Sequence, residues 1–425
     1  MKSLTKIIII FLAWPSGASA VEYSSDIKVR LAGTYEDNAR LSYENKINLY
    51  GGTATTEAGF EARENNWQIQ SNLKLDFTKL NEDSYNSNDQ YLTVGVGRQS
   101  ERQDLKLSVI TIRDSTRTSE IDTSGNIGLR AQRRENLAIT ANWSYMVNER
   151  SRVSLTASTS ENEYEGSGYT GYKNFSSEGG WTYTIDETKS IALSLVYSDY
   201  VPDDRNIVVG QLGLNPETFY FTGVYQNTTE SVGWLIKGEY SFTEKLVFYG
   251  NIGSTKSMAK YSFQEIPNPI TGVDCSFYED SDLPQSVCIL ENYESENLAG
   301  EVSLSYKGEK NTVTVDATVN NQPTNNGNVM RYFRASVHWE NQLDKKNYIS
   351  INLDAGENKA IDEKVSSGER EFATITAGYL HRITSEMDLK LQAMHRWQYR
   401  EGQSGHVNSD GVTLSIMYAP EKNIW

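Results

Sequence analysis

Long apolar runs are missing from most of this chain. After residue 20, no stretch approaches the ~20 apolar residues that a membrane-spanning helix needs. Histidine and cysteine are scarce, at 4 and 2 in 425 residues, and no Cys/His spacing fits a zinc site. Proline is scarce as well, at 8, so little interrupts extended structure. Basic charge is in deficit. Setting aside Lys2 and Lys6 of the leader described below, the 40 Lys+Arg become 38 against 56 Asp+Glu, a net charge of −18. That balance argues against nucleic acid as a partner. Hydropathy alone would describe a soluble acidic protein.

The first twenty residues contradict that description. Lys2 and Lys6 form a basic region, Ile7 to Trp14 an apolar core, and Ala18-Ser19-Ala20 a small-residue cleavage site. This is the layout of a secretory signal peptide over 1–20, with Val21 opening a mature region of 21–425. No cysteine lies near the site to carry a lipid anchor. Tyrosine and glycine are plentiful, at 26 and 31, as expected of a barrel wall with one lipid-facing and one wet face, which dilutes apolar residues to alternate positions.

Alternation of period two is the dominant signal. Ile27, Val29, Leu31 and Tyr35 interleave with Lys28, Arg30, Thr34 and Glu36; Trp67, Ile69, Leu73, Leu75 and Phe77 interleave with Gln68, Gln70, Asn72, Lys74 and Asp76. Runs of about ten such residues suit tilted membrane strands. Short polar turns at Val147 to Ser151, Asp186 to Lys189, Thr243 to Lys245, Gly308 to Asn311, Gln342 to Lys346 and Thr384 to Glu386 alternate with longer Gly/Asn/Asp/Ser-rich stretches. An aromatic precedes most short turns on the apolar parity (Tyr145, Tyr183, Tyr240, Tyr306, Trp339), which reads as a girdle at one interface.

The runs 26–37, 54–64, 67–79, 89–98, 103–114, 136–147, 151–164, 173–185, 189–200, 231–243, 245–258, 297–307, 312–322, 328–341, 346–357, 371–383, 387–400 and 409–418 predict an all-β, transmembrane antiparallel β-barrel of about eighteen strands. Sixteen is the alternative, because 115–135 and 205–228 could hide or lose strands. A soluble multi-sheet β-protein would need apolar positions on both faces of many strands, and most strands here have one. The longest loops, 201–230 and 259–296, are the expected plugs or constrictions. In the last strand Ser409, Gly411, Leu414 and Ile416 fit a polar-x-Gly-x-x-apolar-x-apolar pattern that resembles the signal read by the barrel-assembly machinery. Tyr418 continues its parity, and Ala419 to Ile424 separate it from the terminal Trp425.

The segments Thr34-Tyr35-Glu36-Asp37-Asn38 and Arg113-Asp114-Ser115-Thr116-Arg117-Thr118-Ser119-Glu120, with the repeated strand–turn–strand units, resemble the beta-barrel porin type 2 family. The resemblance runs over most of 26–418 on short motifs. It implies an outer-membrane barrel of a Gram-negative bacterium, associated with exopolysaccharide or exosortase loci, with a pore or polysaccharide-export role and no catalytic residues.

The residues themselves expose little chemistry. Ser336 and His338 share a predicted lumen face, and Ser404, His406 and Asp410 cluster in the last surface loop; polar residues on a wet surface explain both better than a hydrolase site does. Glu279, Asp280 and Asp282 do not follow a calcium-loop pattern. No enzyme activity, cofactor or metal is expected. Cys275 and Cys288, thirteen positions apart in an exported chain, read as a disulfide closing the loop 259–296, with two free thiols as the alternative. One local feature opposes the global charge. Lys28, Arg30, Lys390, Arg396 and Arg400 fall on the inward parity of the first and penultimate strands. A basic stripe along the closing seam follows, crossed only by Thr413 and Ser415. The function expected is a channel for a polar solute or an exported polysaccharide, embedded in outer-membrane lipid. The rivals are a non-conducting surface scaffold or adhesin and, more remotely, an outer-membrane hydrolase.

Overall fold

The computed structural model describes residues 21–42, 46–116, 132–166, 169–203, 205–214, 217–265, 292–323, 329–360, 369–400, 405–421 and 423–424. Its strands are β1 (Glu22–Glu36), β2 (Leu49–Glu64), β3 (Trp67–Leu80), β4 (Ser87–Gln99), β5 (Gln103–Ser115), β6 (Arg133–Asn148), β7 (Ser151–Tyr164), β8 (Tyr172–Asp186), β9 (Lys189–Pro202) and β10 (Arg205–Leu214). There follow β11 (Glu217–Thr243), β12 (Leu246–Glu265), β13 (Asn292–Lys307), β14 (Asn311–Pro323), β15 (Val329–Gln342), β16 (Asn347–Ala360), β17 (Arg370–Arg382), β18 (Met387–Arg400), β19 (Val407–Tyr418) and β20 (Asn423–Ile424). Consecutive strands pair antiparallel, except that β9 pairs with β11 rather than β10, β20 pairs with β1 rather than β19, and β1 pairs with both β2 and β19. The sheet therefore closes. Without β10 and the two-residue β20, which pairs with Ser24 and Ser25, the wall has eighteen strands. Closure leaves no unpaired strand edge in the wall.

The two faces differ as the alternation requires. Ile27, Leu31, Leu155, Leu195, Ile252, Leu298 and Leu414 point to one face and are 49 to 67% exposed. Their neighbours at odd offsets point to the other. On that second face side chains reach across an intervening strand, as Lys237 of β11 does to Glu178 of β8, and Asn321 of β14 to Ser257 of β12. Converging side chains mark the concave face, so the polar face lines the lumen and the apolar face is the outer surface.

The short connections between wall strands lie at one end with the two ends of the wall, and the longer ones lie at the other. At the short-turn end, Asn65 adopts φ 48°, a left-handed conformation that asparagine tolerates better than most residues. Tyr145, Tyr183, Tyr240, Tyr306 and Trp339 all lie on the convex face near this end. Trp143, Trp181 and Phe242 extend the belt through ring contacts at 6.4, 6.0 and 4.3 Å. A second convex set, Tyr35, Tyr50, Phe77, Phe175 and Phe333, lies near the long-loop end. Sequence pattern alone did not reveal that upper belt.

The stretch 201–230, expected as a loop and candidate plug, is instead mostly strand. β10 pairs with β11 from Arg205↔Tyr225 to Leu214↔Glu217, and β11 continues against β12 as far as Gly223↔Glu265. Backbone groups in this ribbon satisfy one another in ladders, which a free loop could not do. Several strands also run past their expected ends, β2 beginning at Leu49 and β13 at Asn292. The signal peptide 1–20, the residues Glu279, Asp280 and Asp282, and both Cys275 and Cys288 lie outside the described residues.

Candidate functional site: the lumen wall

Register, rather than sequence spacing, organises the lumen. Ser108, Thr140, Ser158, Ser176, Ser198, Ser231, Ser257 and Ser295 are direct cross-strand partners, one from each of β5 to β9 and β11 to β13. All face inward, so eight neighbouring strands present a continuous row of hydroxyls. The same row runs back through Gly95, Gln70 and Glu61 to Ser24. Ser24 is the third residue of β1, near the short-turn end, whereas Ser295 is the fourth of β13, near the long-loop end. The row thus climbs the inner wall as it goes round, as strand tilt demands. Thr140 and Ser158 hydrogen-bond at 3.0 Å and Ser231 and Ser257 at 2.8 Å. No single stretch of sequence contains this row; its eight hydroxyl residues follow one another at intervals of 18 to 38 positions.

The five residues of the expected stripe, Lys28, Arg30, Lys390, Arg396 and Arg400, take the inward parity of β1 and β18. Arg30 donates to Thr55 Oγ1 at 3.2 Å, and Lys28 lies 4.0 Å from Asp26. Lys390 borders a niche of about 200 Å³ with Glu340, Tyr348, Ser350 and Arg382. Arg396 differs from these. Its guanidinium pairs with Glu36 of β1 across β19, and both side chains are about 90% buried. The stripe is therefore interrupted by a carboxylate of the wall itself. Glu36 shares the inward parity of Lys28 and Arg30, and it was the residue that the expected charge pattern left out.

That pair belongs to a lock at the long-loop end of the seam. Ser409 donates to the Asp37 carbonyl at 2.5 Å and approaches Glu36 at 3.4 Å. Asp410 N donates to Asp37 Oδ1 at 2.5 Å, and Asn38 Nδ2 donates to the Asn408 carbonyl at 2.9 Å. Asn38 holds φ 40°, which turns the chain so that its side chain reaches β19. The motif Thr34 to Asn38 thus has a concrete role in sealing β1 to β19. The second motif has a comparable one: Asp114 accepts two hydrogen bonds from Arg134 at 3.0 Å, and Asp89 accepts the Ser115 N–H at 3.0 Å. Of the assembly pattern, Ser409 and Gly411 face inward in the lock and Leu414 and Ile416 face outward on the last wall strand.

The described members of the two hydrolase-like groupings make other contacts. Ser336 donates to Asp316 at 3.4 Å, whereas His338 bonds to Asn352. His406 packs on the rings of Trp397 and Tyr399 at 4.8 and 5.5 Å, and Asp410 bonds instead to His395 on the convex face at 2.7 Å. Ser404 lies outside the described residues. Among the described residues no group of three His, Cys, Asp or Glu is placed to hold a metal ion.

No family model matches the sequence, and no curated protein matches it. Solved structures similar in fold include the siderophore receptor PiuA from Acinetobacter baumannii, at 10% identity and TM-score 0.46 over 93% of this chain and 82% of that one. The ferric-catecholate import receptor Fiu from E. coli K12 aligns at 8% identity and TM-score 0.47 over 93% and 82%. The ferric yersiniabactin uptake receptor FyuA from Yersinia pestis aligns at 7% and 0.46 over 96% and 81%. At such scores the likeness carries no functional argument. What decides the class of this chain is its own closed wall.

Proposed function

We propose that this protein is an outer-membrane barrel that passes a polar solute through its lumen. The observation that carries the reading is the sorting of the two faces. The convex surface exposes dozens of large apolar side chains between two aromatic belts, far beyond the few hundred Å² of apolar patch that a soluble monomer tolerates. The concave surface carries mostly hydroxyls, amides and charges. Lipid outside and water inside satisfy both faces; the reverse would leave each in the wrong solvent. The short turns and both ends of the wall then lie on the periplasmic side. An exported polysaccharide, the cargo implied by the porin resemblance, is a polar solute of this kind.

Two measurements test the proposal. Fractionation should recover the protein in the outer membrane with a gel mobility that changes on boiling, and the refolded protein should conduct ions in a planar bilayer. Recovery as a soluble periplasmic monomer would remove the membrane reading. A folded, membrane-inserted barrel that never conducts would remove the passage reading and leave a surface scaffold.

A further inference from the structure

Near the outer end of the lumen wall, one row of inward residues runs Tyr332, Asn358, Arg370, Arg400 across β15 to β18. Asn358 is 1% exposed, yet neither its amide oxygen nor its amide nitrogen has a hydrogen-bond partner. A buried amide left without a partner is costly, so a wall position that keeps one calls for a physical reason.

Its neighbours are cationic. Arg370, 5% exposed, lies beside it on β17 with its guanidinium 4.6 Å over the Phe372 ring. Phe372 can occupy the lumen face there because position 356 is glycine: a Cβ would stand 2.3 Å from the Phe333 carbonyl and 2.9 Å from the Phe372 ring. Arg400 is the direct cross-strand partner of Arg370 and makes no ion pair with a described residue. Gln398, one row below and 1% exposed, sits between the two guanidiniums. In one orientation its oxygen accepts from Arg370 Nη1 at 3.4 Å; in the other it accepts from Arg400 Nη2 at 3.3 Å. The Gln398 amide thus lies within hydrogen-bonding reach of both guanidiniums. One further row down, Arg396 already holds Glu36.

We propose that Asn358, Arg370, Gln398 and Arg400 form a binding site for an oxyanion, a carboxylate or phosphate group carried by the solute, at the outer entrance of the lumen. An anion lying along this row accepts from the planar fork of Arg400 and from the Asn358 and Gln398 amide nitrogens, with the Arg370 cation beside it. It gives the Asn358 amide nitrogen the acceptor it lacks. The stacking of Arg370 on Phe372 fixes that cation in advance, which lowers the entropy lost on binding. The site rests on the lumen reading above but does not require ion conduction, because an entrance site binds whether or not the passage below it is open.

The test is isothermal titration of the refolded full chain in detergent with galacturonate, inorganic phosphate and, as a neutral control, galactose. The wild type should bind one equivalent of an anionic probe and none of galactose. Preference for galacturonate over phosphate assigns the site to acidic sugars, and the reverse assigns it to phosphorylated solutes. Arg400→Gln should weaken binding at least tenfold, whereas Lys28→Gln, on the same face but near the other end, should leave it unchanged. Asn358→Leu separates ligand from wall: it should weaken binding while raising the unfolding midpoint, because an unpaired buried amide is removed. Absence of saturable binding in the wild type, or equal binding in all variants, overturns the site. Bilayer conductance, measured separately, bears on the passage reading alone.

Discussion

Replacing Glu36 with glutamine should unlock the closing seam. The Glu36 and Arg396 side chains are 11% and 10% exposed, so neither charge has bulk water to fall back on when its partner is lost. Breaking a buried pair from one side costs about 3–5 kcal/mol, because the remaining ion stays desolvated and uncompensated. Glutamine keeps a carbonyl to which Ser409 and Arg396 can still donate, so Glu36→Gln belongs at the lower end, a shift of roughly a hundredfold in the unfolding equilibrium. Arg396→Met removes the guanidinium from the carboxylate instead, leaves it the Ser409 hydroxyl, and belongs in the same range. The double variant removes both charges and should recover most of the loss, since a buried ion pair is often no better than an apolar pair of similar volume. The assay is urea unfolding of the refolded barrel in lipid vesicles, followed by tryptophan fluorescence, for the wild type, both single variants and the double. The exposed pair Lys79–Asp83, with side chains 75% and 85% exposed, is the internal control, and its loss should barely move the unfolding midpoint. Single-variant losses as small as that control, or losses that simply add in the double variant, would refute the claim that the seam is locked by a buried charge pair.

Changing Lys28, Arg30 and Lys390 together to Glu, while leaving Arg396 with its partner, should move the reversal potential toward cations at low salt, with the shift fading at 1 M, where the Debye length is ~3 Å; unchanged selectivity would reject the stripe. Non-reducing mass spectrometry of a digest should link the peptides of Cys275 and Cys288, and two freely alkylated thiols would show otherwise. In the turn after β15, Asp344 accepts from the Asn347 side chain and from the Lys346 and Asn347 amides, which holds its carboxyl below the ordinary value of 3.8. The turn bonds are therefore intact above that value and are lost as pH falls through the lowered pKa, so the Lys346 and Asn347 amide shifts should titrate below pH 3.8; a midpoint above it would contradict the geometry.

The barrel itself was legible in the sequence because its determinant is local. A wall between lipid and water forces period two on each strand, so Ile27, Val29 and Leu31 against Lys28 and Arg30 already state which face is which. Short turns such as Asp186 to Lys189 state where each strand reverses, and together these give eighteen strands. Strand ends were less legible, since β2 and β13 run on past the lipid where apolar alternation is no longer required.

What the sequence could not supply is register and closure. Which residues become neighbours across strands depends on ladder pairing summed around the whole wall, and a slip of two positions would keep every face while changing every partner. The hydroxyl row from Ser108 to Ser295 exists only once eight strands are aligned. Glu36 and Arg396 are 360 positions apart and meet because β1 and β19 pair to close the circle. The row of Asn358, Arg370 and Arg400 is likewise a product of pairing. Alternation fixed the solvent that each side chain meets; only the closed tertiary structure determined which charges, hydroxyls and amides meet one another.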